Sequence, residues 1–212
     1  VGIVFILVPG LLWFYSASYK RQFLIGNVIV AFCAALVVLL VVVSENACLL
    51  NEYGDLLAQT PVSSKLYSWI CGFALFAFLT TLIREIVKDM EDEYGDRELE
   101  CRTMPVVWGL KKTKIFLYAI IVITLAILSL FVFKFIQFPN DTLTVRYFIF
   151  GCILPFVYFI YLIIKAKLPT DYHSASSFMK YIMIIGALYS VVLYFILART
   201  YGIVIFNLFK IQ

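Results

Sequence analysis

Residues 66–100 read LYSWICGFALFAFLTTLIREIVKDMEDEYGDRELE, an apolar run that passes without interruption into an acidic one. Between Leu66 and Val87 only Arg84 and Glu85 are charged, whereas residues 89–100 hold seven of the chain's thirteen acids. A helix needs about 20 apolar residues to cross a hydrocarbon core of about 30 Å, so the first part of this stretch reads as a membrane span and the second as its polar end. The pattern extends over the rest of the chain. Of its 212 residues 64% are hydrophobic and 14% charged, and a mean hydropathy of +1.00 excludes an ordinary soluble fold. Apolar runs at 1–15, 26–44, 66–88, 112–136, 146–165 and 178–197 predict an all-α, polytopic transmembrane bundle of six spans, with a short apolar tail after Arg199.

The first run starts abruptly at Val1, with no basic segment before it and no small-residue cleavage site ahead of FYSASYKR. It therefore reads as the end of a spanning helix and not as a signal peptide. If six helices alternate in direction, the loops at 16–25, 84–114 and 165–180 lie on one side and carry twelve Lys and Arg, against five in the other set. The positive-inside rule then expects the first set in the cytoplasm, in a bacterial or archaeal type of cytoplasmic membrane. That assignment puts YKR (19–21) and the acidic stretch on the same side. The five cysteines (Cys33, Cys48, Cys71, Cys101, Cys152) are scattered, mostly within apolar runs and without a CxxC pair, so they read as fillers and not as a disulfide or zinc framework. A single histidine, His173, is too little for a histidine metal site or a Ser-His-Asp triad and reads as a loop or interface residue.

Spacing gives the acids a meaning that their number does not. Glu85, Asp89, Asp92 and Asp96 fall at i, i+4, i+7 and i+11, within about 60° on a continuous helix. Like charges at such neighbours destabilise a helix by a few tenths of a kcal/mol per pair, so a purely structural helix has little reason to align them. A hard cation supplies one: Mg²⁺ binds through one or two carboxylates and completes its shell with water and phosphate oxygens. Lys20 and Arg21, with Tyr15 and Tyr19 nearby, would add direct cationic contacts to a diphosphate, although Tyr followed by Lys-Arg is also an ordinary interfacial anchor. Arg102 lies in the connector RTMPVVWG next to the acids. Glu91, Glu93, Glu98 and Glu100 read as solvent charge.

These residues resemble the UbiA superfamily of intramembrane prenyltransferases over essentially the whole chain. The family's second aspartate-rich motif is similar to REIVKDMEDEYGDRELECRTMPVVWGLKKTK (84–114), including the R-T-x-P and the W-G-x-K-K before the next helix. Its Tyr-Lys motif resembles YSASYKR, with four residues between Tyr15 and Lys20 and Gly26-Asn27 opening the next helix. That spacing looks like the subgroup of geranylgeranylglyceryl-phosphate geranylgeranyltransferases. The family's first aspartate-rich motif, of the N-D-x-x-D-x-x-x-D kind, has no counterpart in residues 1–212. The six spans would correspond to helices four to nine of nine, in one prenyltransferase domain lacking about three helices and inactive alone.

The resemblance implies Mg²⁺-dependent transfer of a prenyl group from a prenyl diphosphate to a lipophilic acceptor within the membrane. Asp89, Asp92 and Asp96 would be the metal ligands and, with Lys20 and Tyr15, the catalytic set. Arg21, Asn27, Glu85 and Arg102 would bind substrate. Partners would be the two substrates and membrane lipid, with no nucleic acid. A glyceryl-phosphate lipid and an aromatic quinone precursor both remain open as acceptor. CDP-alcohol phosphatidyltransferases also combine spans, carboxylates and Mg²⁺, but Asp92 is followed by Glu93-Tyr94 and no A-R. Soluble prenyl diphosphate synthases have similar aspartate clusters but not six apolar spans. A transporter or cation-binding protein is the non-enzymatic alternative. It would place ionisable residues within spans, and 26–44, 112–133 and 147–164 contain none.

Overall fold

Every regular element in the computed structural model, which describes residues 2–54, 62–135 and 142–201, is helical. The order is α1 (Gly2–Ala17), a 3₁₀ turn (Tyr19–Arg21), α2 (Ile25–Tyr53), α3 (Val62–Glu91), two short helices α4 (Glu93–Glu98) and α5 (Met104–Trp108), and α6 (Leu110–Phe135). Then come α7 (Leu143–Phe148), a π turn (Ile149–Ile153), α8 (Leu154–Lys165) and α9 (Pro169–Tyr201). Most of the apolar tail after Arg199 lies outside the described residues.

Five helical stretches are long and apolar enough to cross a membrane: Ile25–Tyr53, Ser63–Glu91, Leu110–Lys134, Leu143–Lys165 and Pro169–Thr200. This is an integral membrane protein with a helical bundle. The expected sixth span, the first apolar run, forms only the 16-residue α1 among the described residues, shorter than a crossing needs. The helices also outrun their apolar cores: α2 continues through Ser44, Glu45 and Asn46 to Tyr53. Hydropathy marks where a helix lies in lipid, not where it ends in water.

α3 is the hub, packed most extensively against α2, then α9, then α6. Its Ile83, Ile86, Val87 and Met90 are buried against Leu117 and Ile121 of α6, Phe156, Phe159 and Ile163 of α8, and Met179 and Ile182 of α9. In lipid such packing rests on van der Waals fit, because apolar surface gains little by leaving a hydrocarbon phase. Small residues set the closest approaches. A Cβ added at Gly72 or Gly186 would collide with the rings of Phe131 or Phe76. Some span hydroxyls are satisfied within their own helices, as where Thr80 Oγ1 donates to Phe76 O at 2.7 Å.

Proline explains the break in the span expected at 146–165. Pro155 has no N–H for the carbonyl four residues back, and the wide turn Ile149–Ile153 immediately precedes it. Near the end of the bundle that carries the acids, Lys114 of α6 donates to Ile163 O at 2.7 Å and Ala166 O at 2.6 Å, carbonyls that the end of α8 leaves open. Lys114 is thus a cap as well as a positive loop charge. Asp171 performs the matching task for α9, accepting from the N–H groups of Lys167 and Leu168.

Candidate active site

The end of α3, the start of α2 and the segment between α1 and α2 converge at one end of the bundle. The helix expected to run on through Asp96 bends at Asp92, which takes φ −88° and ψ 3° and separates α3 from α4. The bend does not scatter the acids. Asp92 N still donates to Lys88 O and Asp96 N to Asp92 O, both at 2.9 Å, so the spacing of a helical turn is kept across it. Asp89 feels the charge of Asp96 most, then those of Glu85 and Asp92.

Asp89 is half-buried, and Asn27 Nδ2 donates to its Oδ2 at 2.7 Å. This bond joins α2 to α3 and fixes the orientation of the carboxylate. Asp89 has no cationic partner among the described residues. Glu85 is different. It is buried with Arg84 Nη1 2.6 Å and Lys88 Nζ 3.4 Å from its two oxygens, so its charge is already matched on its own helix. Glu85 therefore does not stand free for a metal or substrate, and Arg84 and Lys88 are the residues that sequence spacing missed. Both stand within one helical turn of Glu85, at positions i−1 and i+3.

Tyr15 reaches the same cluster and senses the charges of Glu85, Asp89 and Asp96. It can do so because residue 26 is glycine: a Cβ there would fall 2.8 Å from Tyr19 O and 3.1 Å from the Tyr15 ring. The side chain of Lys20 lies outside the described residues, while its backbone is part of the 3₁₀ turn Tyr19–Arg21. Arg21 and Arg102, both exposed, are joined through their backbones, with Arg102 N donating to Arg21 O at 2.8 Å. Neither forms an ion pair among the described residues.

Two of the glutamates expected to be solvent charge have partners. Glu93 pairs with Arg97 on α4. Glu91 lies 2.7 Å from His173 Nδ1 and accepts from Ser176 Oγ at 3.4 Å, which makes His173 an interface residue between α3 and α9.

Among the described residues no three His, Cys, Asp or Glu side chains gather closely enough to cage a metal by themselves. A cage is not what Mg²⁺ requires, since one or two carboxylates with water and phosphate oxygens suffice. Asp89 offers hard oxygen donors for such shared coordination and has no ion-pair partner among the described residues.

The chain is 32% identical over 185 residues to the digeranylgeranylglyceryl phosphate synthase of Methanosphaera stadtmanae, an alignment covering 87% of this chain and 60% of that protein. It is 34% identical over 118 residues to the synthase of the same name from Methanopyrus kandleri, covering 54% and 36%. The chain thus spans about three fifths of the length of the first of these relatives. No solved structure matches it. Residues 1–185 match the UbiA prenyltransferase family, and with the paired motifs brought together at one end of a helical membrane bundle, the chain belongs to that family.

Proposed function

We propose that the protein containing this chain transfers a prenyl group from a prenyl diphosphate to a lipophilic acceptor inside the membrane, with Mg²⁺ as cofactor and the reacting end of the bundle on the cytoplasmic side. The observation that carries this reading is Asp89: a half-buried carboxylate held by Asn27, crowded by other acids and matched by no described cation. A membrane helix end has no structural use for such a group. A phosphate substrate brought in with a divalent ion gives it one.

Asp89, Asp92 and Asp96 would hold the ion, which when bound would neutralise the negative charge that builds on the departing diphosphate. Asn27 presents Asp89 in one orientation. Arg84 and Lys88 keep Glu85 paired, so that it adds less repulsion to an incoming anion. Tyr15 offers a ring and a hydroxyl beside the acids, where positive charge on the allylic carbon would be favoured by the ring face. Lys20 would supply a cationic contact to the diphosphate. The relatives' names favour a glyceryl-phosphate lipid over an aromatic acceptor, and the loop charges, twelve basic residues against five, support the sidedness.

The test is turnover by membranes bearing the full-length polypeptide. Diphosphate release and prenylated product should appear together and require both Mg²⁺ and an acceptor. Asp89→Asn should lose about a hundredfold or more of that rate while inserting normally. Metal-independent ion flux without diphosphate release would favour the transporter reading instead.

A further inference from the structure

The side of α2 turned away from Asp89 carries a second surface of mixed character. Ile25 and Asn27 stand two residues apart, about 200° around the helix, so Asn27 faces Asp89 while Ile25 points the opposite way. On that side Gln22, Phe23, Ile25, Arg102, Val107 and Trp108 line an open groove of about 560 Å³. The rings of Phe23 and Trp108 lie 4.8 Å apart, and Trp108 is backed by Phe116 at 5.8 Å. One part of the groove is therefore an aromatic wall, half-exposed at Val107 and Trp108. The other part is Arg102, exposed, tied by its backbone N–H to the carbonyl of Arg21 and in no ion pair among the described residues. Leu24 (φ 56°) and Glu100 (φ 55°) take left-handed conformations on either side of this junction, a strain that the surrounding packing must offset.

We propose that this groove takes up the phosphate-headed lipid acceptor from the bilayer, with Arg102 on its phosphate and Phe23, Val107 and Trp108 along the first carbons of its tail. The inference rests on the prenyltransferase reading and deepens it by giving the two phosphorylated substrates separate places: the donor's diphosphate on the Asp89 side of α2, the acceptor's phosphate on the Ile25 side. Charge and polarity select the occupant. Free phosphate would leave the aromatic wall unused, a zwitterionic lipid would bring its own cation against Arg102, and a neutral quinone precursor would leave the Arg102 guanidinium unmatched.

Trp108 provides the reporter. Full-length protein in phosphatidylcholine nanodiscs is titrated with an isoprenyl glyceryl phosphate, and separately with the same lipid lacking its phosphate, while tryptophan emission is followed. The phosphorylated lipid should give a saturable change that disappears in Trp108→Phe and needs about tenfold more lipid in Arg102→Gln. The KM for prenyl diphosphate should stay the same in Arg102→Gln. Equal binding of the two lipids by the unsubstituted protein would overturn the proposal, as would unchanged binding in Arg102→Gln or equal displacement by phosphatidylglycerol. Loss of phosphate selectivity with prenyl transfer intact contradicts the groove alone. Absence of transfer with phosphate-selective binding intact contradicts the catalytic reading alone.

Discussion

The two ends of α3 meet their neighbours in opposite ways. Toward its start, Trp69, Gly72, Phe73 and Phe76 face Phe131, Tyr147 and Gly186 around a cavity of about 90 Å³ with no charged group in its lining. Toward its end, within two turns, Glu85 is paired with Arg84 and Lys88, Asp89 with Asn27, and Glu91 with His173 and Ser176. Ring-on-glycine packing holds the first end, and nothing there departs from what a membrane helix requires. The second end gathers like charges that oppose its own helix, and local bonds offset only part of that cost. That repulsion, gathered at one end of the helix, is the ground for proposing that end as the place of chemistry.

Substitutions can break this contrast, and the largest effect belongs to the acids. Asp89→Asn and Asp92→Asn should each remove about a hundredfold or more of the Mg²⁺-dependent rate with no loss of thermal stability, read by product formation and melting in detergent. Wild-type rates in either variant would erase the distinction between the two ends. Next comes Asn27→Ala, which leaves Asp89 without its donor. It should lower kcat roughly tenfold, as expected for a hydrogen bond to a charged group, and leave insertion unchanged.

At the far end the readout reverses. Gly186→Val should push the Phe76 ring aside and destabilise the bundle by about 1–3 kcal/mol, while the molecules that remain folded keep their turnover rate. If Gly186→Val spared stability and abolished chemistry, the division of labour along α3 would be wrong. The smallest effect is expected for His173→Ala. Its contact with Glu91 is exposed, and exposed pairs contribute about 0.2–1 kcal/mol, so a fall in activity of more than a fewfold would show that this contact also positions the neighbouring Asp92.

The fold was largely legible because hydropathy reports directly on lipid burial. Five of the expected spans are present, and the acidic stretch ends the helix it was expected to end. What sequence could not supply were distances between residues far apart in the chain. Asn27 meets Asp89 across 62 positions and His173 meets Glu91 across 82, and no periodicity links them. Asp92 shows a different limit. The spacing of the acids assumed one unbroken helix, yet the chain bends there and keeps the acids together through continued backbone bonds. Glu85 shows a third, since its spacing matched the other acids while its partners assigned it to structure.

The central claim is that the acid end of α3 holds a divalent ion together with a diphosphate. Electron paramagnetic resonance of Mn²⁺, substituted for Mg²⁺, reads this directly in the full-length protein. Prenyl diphosphate should convert free Mn²⁺ to a bound signal in the unsubstituted protein, and that conversion should be lost in Asp89→Asn but kept in Gly186→Val. Equal Mn²⁺ binding by Asp89→Asn in the presence of the diphosphate would contradict it.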